Sequence, residues 1–89
     1  MAQMTERQTA YSRRLDEKYG FPSGTMETLV GNESSGNGNA ESPKGARGYA
    51  QLMPSVMSDA GYRGTDPRSL PFEKQMDIAA NHLNKEIGR

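Results

Sequence analysis

The stretch from Glu33 to Pro54, ESSGNGNAESPKGARGYAQLMP, holds four of the chain's ten glycines and lies between two segments with helical apolar spacing. A run so rich in Gly, Asn and Ser has no apolar period of its own. It therefore reads as loop, of roughly a dozen residues, which is long for so small a domain. The chain has to fold as helices gathered on either side of this polar crossing.

Both flanks support that reading. Tyr11, Leu15 and Tyr19 recur every four residues between Arg13, Arg14, Glu17 and Lys18, which predicts a helix over 6–19. Gly20 is its stop, and Phe21-Pro22 restarts the chain in extended form. Residues 1–8 are polar and expected to fray. Ser23 or Thr25 can cap a second helix over 25–33, in which Met26, Leu29, Val30 and Glu33 share one face.

After the loop, Tyr49 to Met53 reads as a short helical turn. Pro54 opens a third helix over 54–60, with Val56, Met57 and Ala60 inward. GYRGTDPRSLP reads as connecting loop. Phe72, Met76, Ala79, Leu83 and Ile87 trace the apolar face of a last helix over 72–87. No internal repeat and no strand-length alternation interrupt this pattern. The expected fold class is all-α.

Composition narrows the function. The chain has 89 residues, one small domain at most, with 33% hydrophobic residues and a mean hydropathy of −0.89. There is no cysteine, and His82 is the single histidine, so neither a disulfide nor a metal cluster is expected to reinforce the core. Eleven basic residues balance eleven acidic ones. That argues against the basic face a nucleic-acid partner needs. No apolar run is long enough for a transmembrane segment, and the residues after Met1 lack the apolar core of a secretory signal peptide. No cofactor is expected.

A loop of this composition, closed by one acid, suits a sugar-binding cleft. Glu33 continues an otherwise apolar stripe. A carboxyl against apolar surface is poorly solvated when ionised and so keeps its proton, the condition for a general acid.

Glu33-Ser34 followed by Ser42-Pro43-Lys44-Gly45-Ala46-Arg47-Gly48-Tyr49-Ala50-Gln51-Leu52-Met53-Pro54 resembles the signature of the lysozyme-like lytic transglycosylases of the soluble-lytic-transglycosylase type. In that family a Glu-Ser pair ends a helix, and a Ser-Pro-x-Gly-Ala-x-Gly-x-x-Gln-x-Met-Pro run follows. The resemblance implies a lysozyme-like domain over 21–89 behind an N-terminal segment and helix over 1–20, with room for a small β-hairpin at the Gly-rich loop. It also implies a domain that continues past residue 89 with a Tyr-Asn-containing segment that helps to close the cleft. The chain is accordingly expected to be an incomplete domain, stable and fully active only with more of its parent or with neighbouring subunits.

The chemistry implied is peptidoglycan cleavage between N-acetylmuramic acid and N-acetylglucosamine, ending in a 1,6-anhydro product. Glu33 would act first as acid and then as base. Ser34, Ser42, Gly48, Tyr49, Gln51 and Met53 are the candidate substrate-binding residues. Read as residues alone, Ser34 and Ser42 equally suit caps, Gly48 suits a tight backbone, and Tyr49 suits either a sugar ring or the core. Glu41 has no matching position and is not assigned as a nucleophile, and His82 is given no catalytic role.

Compact domains of this type occur in phage virion proteins that open the cell wall during genome delivery. The resemblance thus implies glycan strands and other virion subunits as partners, with action in the host periplasm or wall. A different class of function stays open from the sequence: a non-catalytic docking segment of a virion or secretion assembly that retains the motif.

Overall fold

The computed structural model describes residues 4–88. Its elements are α1 (Glu6–Tyr19), α2 (Thr25–Ser34), α3 (Pro54–Asp59), a single 3-10 turn (Pro67–Ser69) and α4 (Phe72–Glu86). Helices α1 and α2 pack on each other, and α4 packs across both α1 and α3. Among the described residues there is no sheet, and two isolated antiparallel bridges, Glu41 to Arg47 and Arg47 to Leu52, mark the loop. The fold is all-α, as the apolar spacing requires.

Helix α1 starts more firmly than a frayed terminus would. The Thr5 side chain accepts the Gln8 amide at 3.0 Å while the Gln8 side chain accepts the Thr5 amide at 3.0 Å. This reciprocal cap satisfies two N–H groups that a helix end otherwise leaves bare. The expectation of fraying over residues 1–3 lies outside the described residues. At the other end Gly20 adopts φ 72° and its amide bonds the carbonyls of Asp16 and Glu17, the role a glycine stop fills.

The start of α2 departs from expectation. Neither Ser23 nor Thr25 caps it: Gly24 occupies the cap position with φ 90° and no side-chain bond of its own. The cap is supplied from α1, where the buried Asp16 carboxylate accepts the amides of Gly24 at 2.9 Å and Met26 at 3.0 Å. An acid at a helix N-terminus is favoured by both the free N–H groups and the helix dipole. Asp16→Ala is expected to cost about 2–3 kcal/mol, because two charge-assisted bonds go and the N–H groups of Gly24 and the buried Met26 lose their partner. Asp16→Asn, which keeps one acceptor oxygen, should lose less. Denaturant midpoints of the two variants measure the difference.

The core gathers Leu15, Met26, Val30, Met57, Phe72 and Met76, with Ala79 and Ala80 allowing α4 to approach closely. Tyr11 and Tyr19 pack at its edge. The Tyr11 hydroxyl donates to Asp77 and ties α1 to α4. That bond, with some burial, pushes the phenol up to about 12. The pKa is raised on folding, so the tie stabilises the fold below the ordinary tyrosine range and is lost only as pH rises through about 12.

The last helix ends at Glu86, so Ile87, expected on its apolar face, falls outside it and is 49% exposed. The segment 49–53 is not helical either. Arg47 and Leu52 exchange both backbone bonds, at 3.1 and 2.9 Å, around a turn closed by the Gln51 amide on the Gly48 carbonyl at 3.2 Å. The helix start at Pro54 holds: a proline at the first position needs no donor.

Candidate active site

Glu33 lies in the last turn of α2, and Ser35 ends the helix in the left-handed region at φ 53°. The chain then turns back through Asn37, whose side chain accepts the Asn39 amide at 2.9 Å. It reaches Ala40, whose carbonyl accepts the Gly48 amide at 2.9 Å and the Gln51 side-chain amide at 3.1 Å. This single carbonyl joins the two ends of the Gly-rich loop. Ser42 then makes a tight turn, accepting the Ala46 amide on its hydroxyl at 3.1 Å.

A groove of about 240 Å³ results. One wall is Leu29 and Glu33 of α2, another is Ala50 to Met53 of the hairpin, and the third is His82, Leu83 and Glu86 of α4. It is smaller than a closed small-molecule cavity and open to solvent, the form that suits a polymer passing through. A larger hollow of about 500 Å³ beside α1 carries Arg7, Arg14 and Glu73 but no part of the motif.

Glu33 is exposed, which corrects the expectation of a carboxyl shielded by its own helix's apolar stripe. Met26 and Val30 of that stripe are fully buried, while Leu29 and Glu33 lie at its edge, on the groove. Shielding would have to come from whatever fills the groove. The carboxylate has no hydrogen-bond or ion-pair partner among the described residues.

Of the candidate binding residues, the structure brings Gln51 and Met53 to the groove with Glu33. The Gln51 Nε2 group spends its hydrogens on the Ala40 and Gly48 carbonyls at 3.1 and 3.0 Å. Its Oε1 accepts no bond within the described residues. The other four lie elsewhere. Ser34 bonds back to the Val30 carbonyl at 3.2 Å, and Ser42 is used in its own turn. The Tyr49 ring meets Phe72 edge-on at 4.8 Å, and its amide donates to Gln75 Oε1 at 3.1 Å. Gly48 is buried beneath the same Gln75 side chain.

Glu41 stands apart from the groove in a charged cluster. Its carboxylate meets Arg47 at 3.2 Å and Arg68 at 3.4 Å, and Asp66 joins both arginines. The Arg68 guanidinium holds the Asp66 carboxyl down to about 2. Such exposed pairs add little stability singly, but together they pin the Gly-rich loop to the turn at 67–69.

Two features of the site escape a linear reading. Gln75, fully buried on α4, links the hairpin to the Leu70 carbonyl through Nε2 at 2.9 Å. His82 lies on the groove wall, its Nε2 2.7 Å from Glu86 Oε1. The i,i+4 spacing of His82 and Glu86 is legible in sequence, but their facing Glu33 depends on how α4 crosses the other helices.

An all-α frame in which a helix-terminal glutamate borders an open groove is consistent with a lysozyme-like domain. Residues 10–89 match the Transglycosylase SLT domain, and the chain belongs to that family. The match includes most of α1. No curated protein and no solved structure matches the chain.

Proposed function

We propose that the chain carries the catalytic groove of a peptidoglycan lytic transglycosylase. The observation that supports it most is the pairing of a family match over 10–89 with a groove that holds Glu33 as its one unpaired carboxylate. In this reading the Glu33 carboxyl gives its proton to the glycosidic oxygen and the bond from that oxygen to the muramic acid anomeric carbon breaks. Positive charge then spreads over C1 and the ring oxygen. The resulting carboxylate takes the proton of the 6-hydroxyl, whose oxygen closes onto C1. No water is consumed, and the product is a 1,6-anhydro sugar. The substrate's own N-acetyl group can assist at C1.

Glycosidases that hydrolyse use two carboxylates. Glu86 also borders this groove, which would favour a hydrolytic reading, but its carboxylate is engaged by His82. Mass spectrometry of glycan strands digested by the protein decides the matter. We expect 1,6-anhydro ends; reducing ends would make the enzyme a hydrolase. Strands bound without turnover would instead favour the docking role.

The setting that accompanies this reading is a virion protein that opens the host wall locally during genome delivery, with neighbouring virion subunits as partners and action in the periplasm or wall. Its support is that compact domains of the family the motif resembles occur in such proteins. Detection of the protein in purified phage particles is the expected result, and its presence only in the host envelope would overturn it.

A further inference from the structure

Resting on that reading, we infer that His82 is a substrate-binding residue on the α4 wall, held by Glu86 so that its Nδ1 accepts a hydrogen bond from a hydroxyl or acetamido N–H of the amino-sugar chain. The groove walls are otherwise mostly apolar: Leu29, Leu52, Met53, Val56 and Leu83. A ligand that enters must find polar partners at the few points where the walls offer them.

The hydrogen-bond inventory of those points is one-sided. Both Nε2 hydrogens of Gln51 are used on the Ala40 and Gly48 carbonyls, so its contribution to the groove is the acceptor Oε1. His82 behaves alike. Its Nε2 faces the Glu86 carboxylate at 2.7 Å, which can only accept, so the proton of the neutral ring sits on Nε2 and Nδ1 is a bare acceptor. Nδ1 has no partner among the described residues, and the side chain is 40% exposed. The charged groups around the ring are Glu33 from α2, Asp59 from α3, and Lys85 and Glu86 from α4.

Two acceptors on different walls, one from the hairpin and one from α4, select a ligand that presents donors on both sides. A sugar carrying hydroxyl and acetamido groups does so. The acid Glu33 borders the same groove from α2. Glu86 acts through His82: it fixes which ring nitrogen carries the proton and how the ring is turned.

The test measures binding of peptide-free glycan strands to the Glu33→Gln protein, in which turnover does not interfere. His82→Phe keeps a ring and removes both nitrogens. His82→Gln can still reach Glu86 but leaves the Nδ1 position empty, and His82→Asn places an amide oxygen where Nδ1 was. Loss of one neutral hydrogen bond weakens binding roughly three- to tenfold. We expect that loss for His82→Phe and His82→Gln, with His82→Asn closer to the parent. Glu86→Gln should weaken binding when His82 is present and add nothing to His82→Asn. In the active protein the same His82 variants should raise KM more than they lower kcat. Strands that bind equally well to all three His82 variants would overturn the inference and leave the proposed function standing. Strands that fail to bind the Glu33→Gln protein at all would overturn both.

Discussion

Glu33→Gln is expected to lower glycan cleavage by about 10²–10⁴-fold, the range a positioned general acid contributes, while the fold stays as stable as the parent or becomes slightly more so. Both halves follow from the same geometry. The side chain is exposed in the last turn of α2, with no partner to lose, so its replacement falls among surface changes that shift stability by no more than about 0.5 kcal/mol. A carboxylate at a helix C-terminus also opposes the negative end of the helix dipole, and a neutral amide removes that opposition. The amide has the same shape but no proton to give to a leaving oxygen. Activity and stability should therefore part company, as they do where a residue is kept for chemistry at the expense of the fold. Turnover on purified glycan strands and a thermal melt suffice. A variant retaining a tenth or more of parental turnover would remove Glu33 from the reaction.

Much of the frame is legible before any coordinates. The bounds of α1 and the start of α4 follow from apolar residues at four- and three-residue spacing, with Gly20 placing the stop of α1 and Pro54 the start of α3. What stays hidden are contacts between residues far apart in sequence. No spacing in the sequence singles out Asp16, yet it is buried as the cap of α2, because Gly24 leaves those amides without a cap of their own. Tyr49 to Gln51 contain nothing that forbids a helical turn; the turn is set by Gln75, twenty-six residues away from Tyr49. His82 gains a place in the groove only when α4 lies against α3 beside the hairpin. The acid and the amide of the motif meet in the groove as their order suggests. Ser34 bonds back within α2, while Ser42 and the Tyr49 amide help to shape the loop that carries the amide.

Gly48→Ala is the substitution expected to destabilise the fold most, by about 3–5 kcal/mol, because backbone strain and steric overlap act together at one position. The backbone there has φ 86°, which an L side chain rarely adopts, and an added Cβ would stand 2.3 Å from Gln75 Oε1. That oxygen cannot simply withdraw. It accepts the Tyr49 amide at 3.1 Å, and Nε2 of the same side chain is bonded to the Leu70 carbonyl. Moving Gln75 would leave polar groups without partners in the core. Gly45→Ala separates the two causes, since Gly45 has φ 91° but nothing within 4 Å of an added Cβ. It should cost only the backbone share, about 1–2 kcal/mol. Pairing Gly48→Ala with Gln75→Ala removes the obstructing oxygen, so the double variant should be less destabilised than the sum of the singles. Equal midpoints for Gly45→Ala and Gly48→Ala in denaturant would show that the overlap is relieved elsewhere. With the overlap in force, Gly48→Ala should also weaken glycan binding before the domain melts, because the turn it disturbs is the one that presents Gln51 Oε1 to the groove.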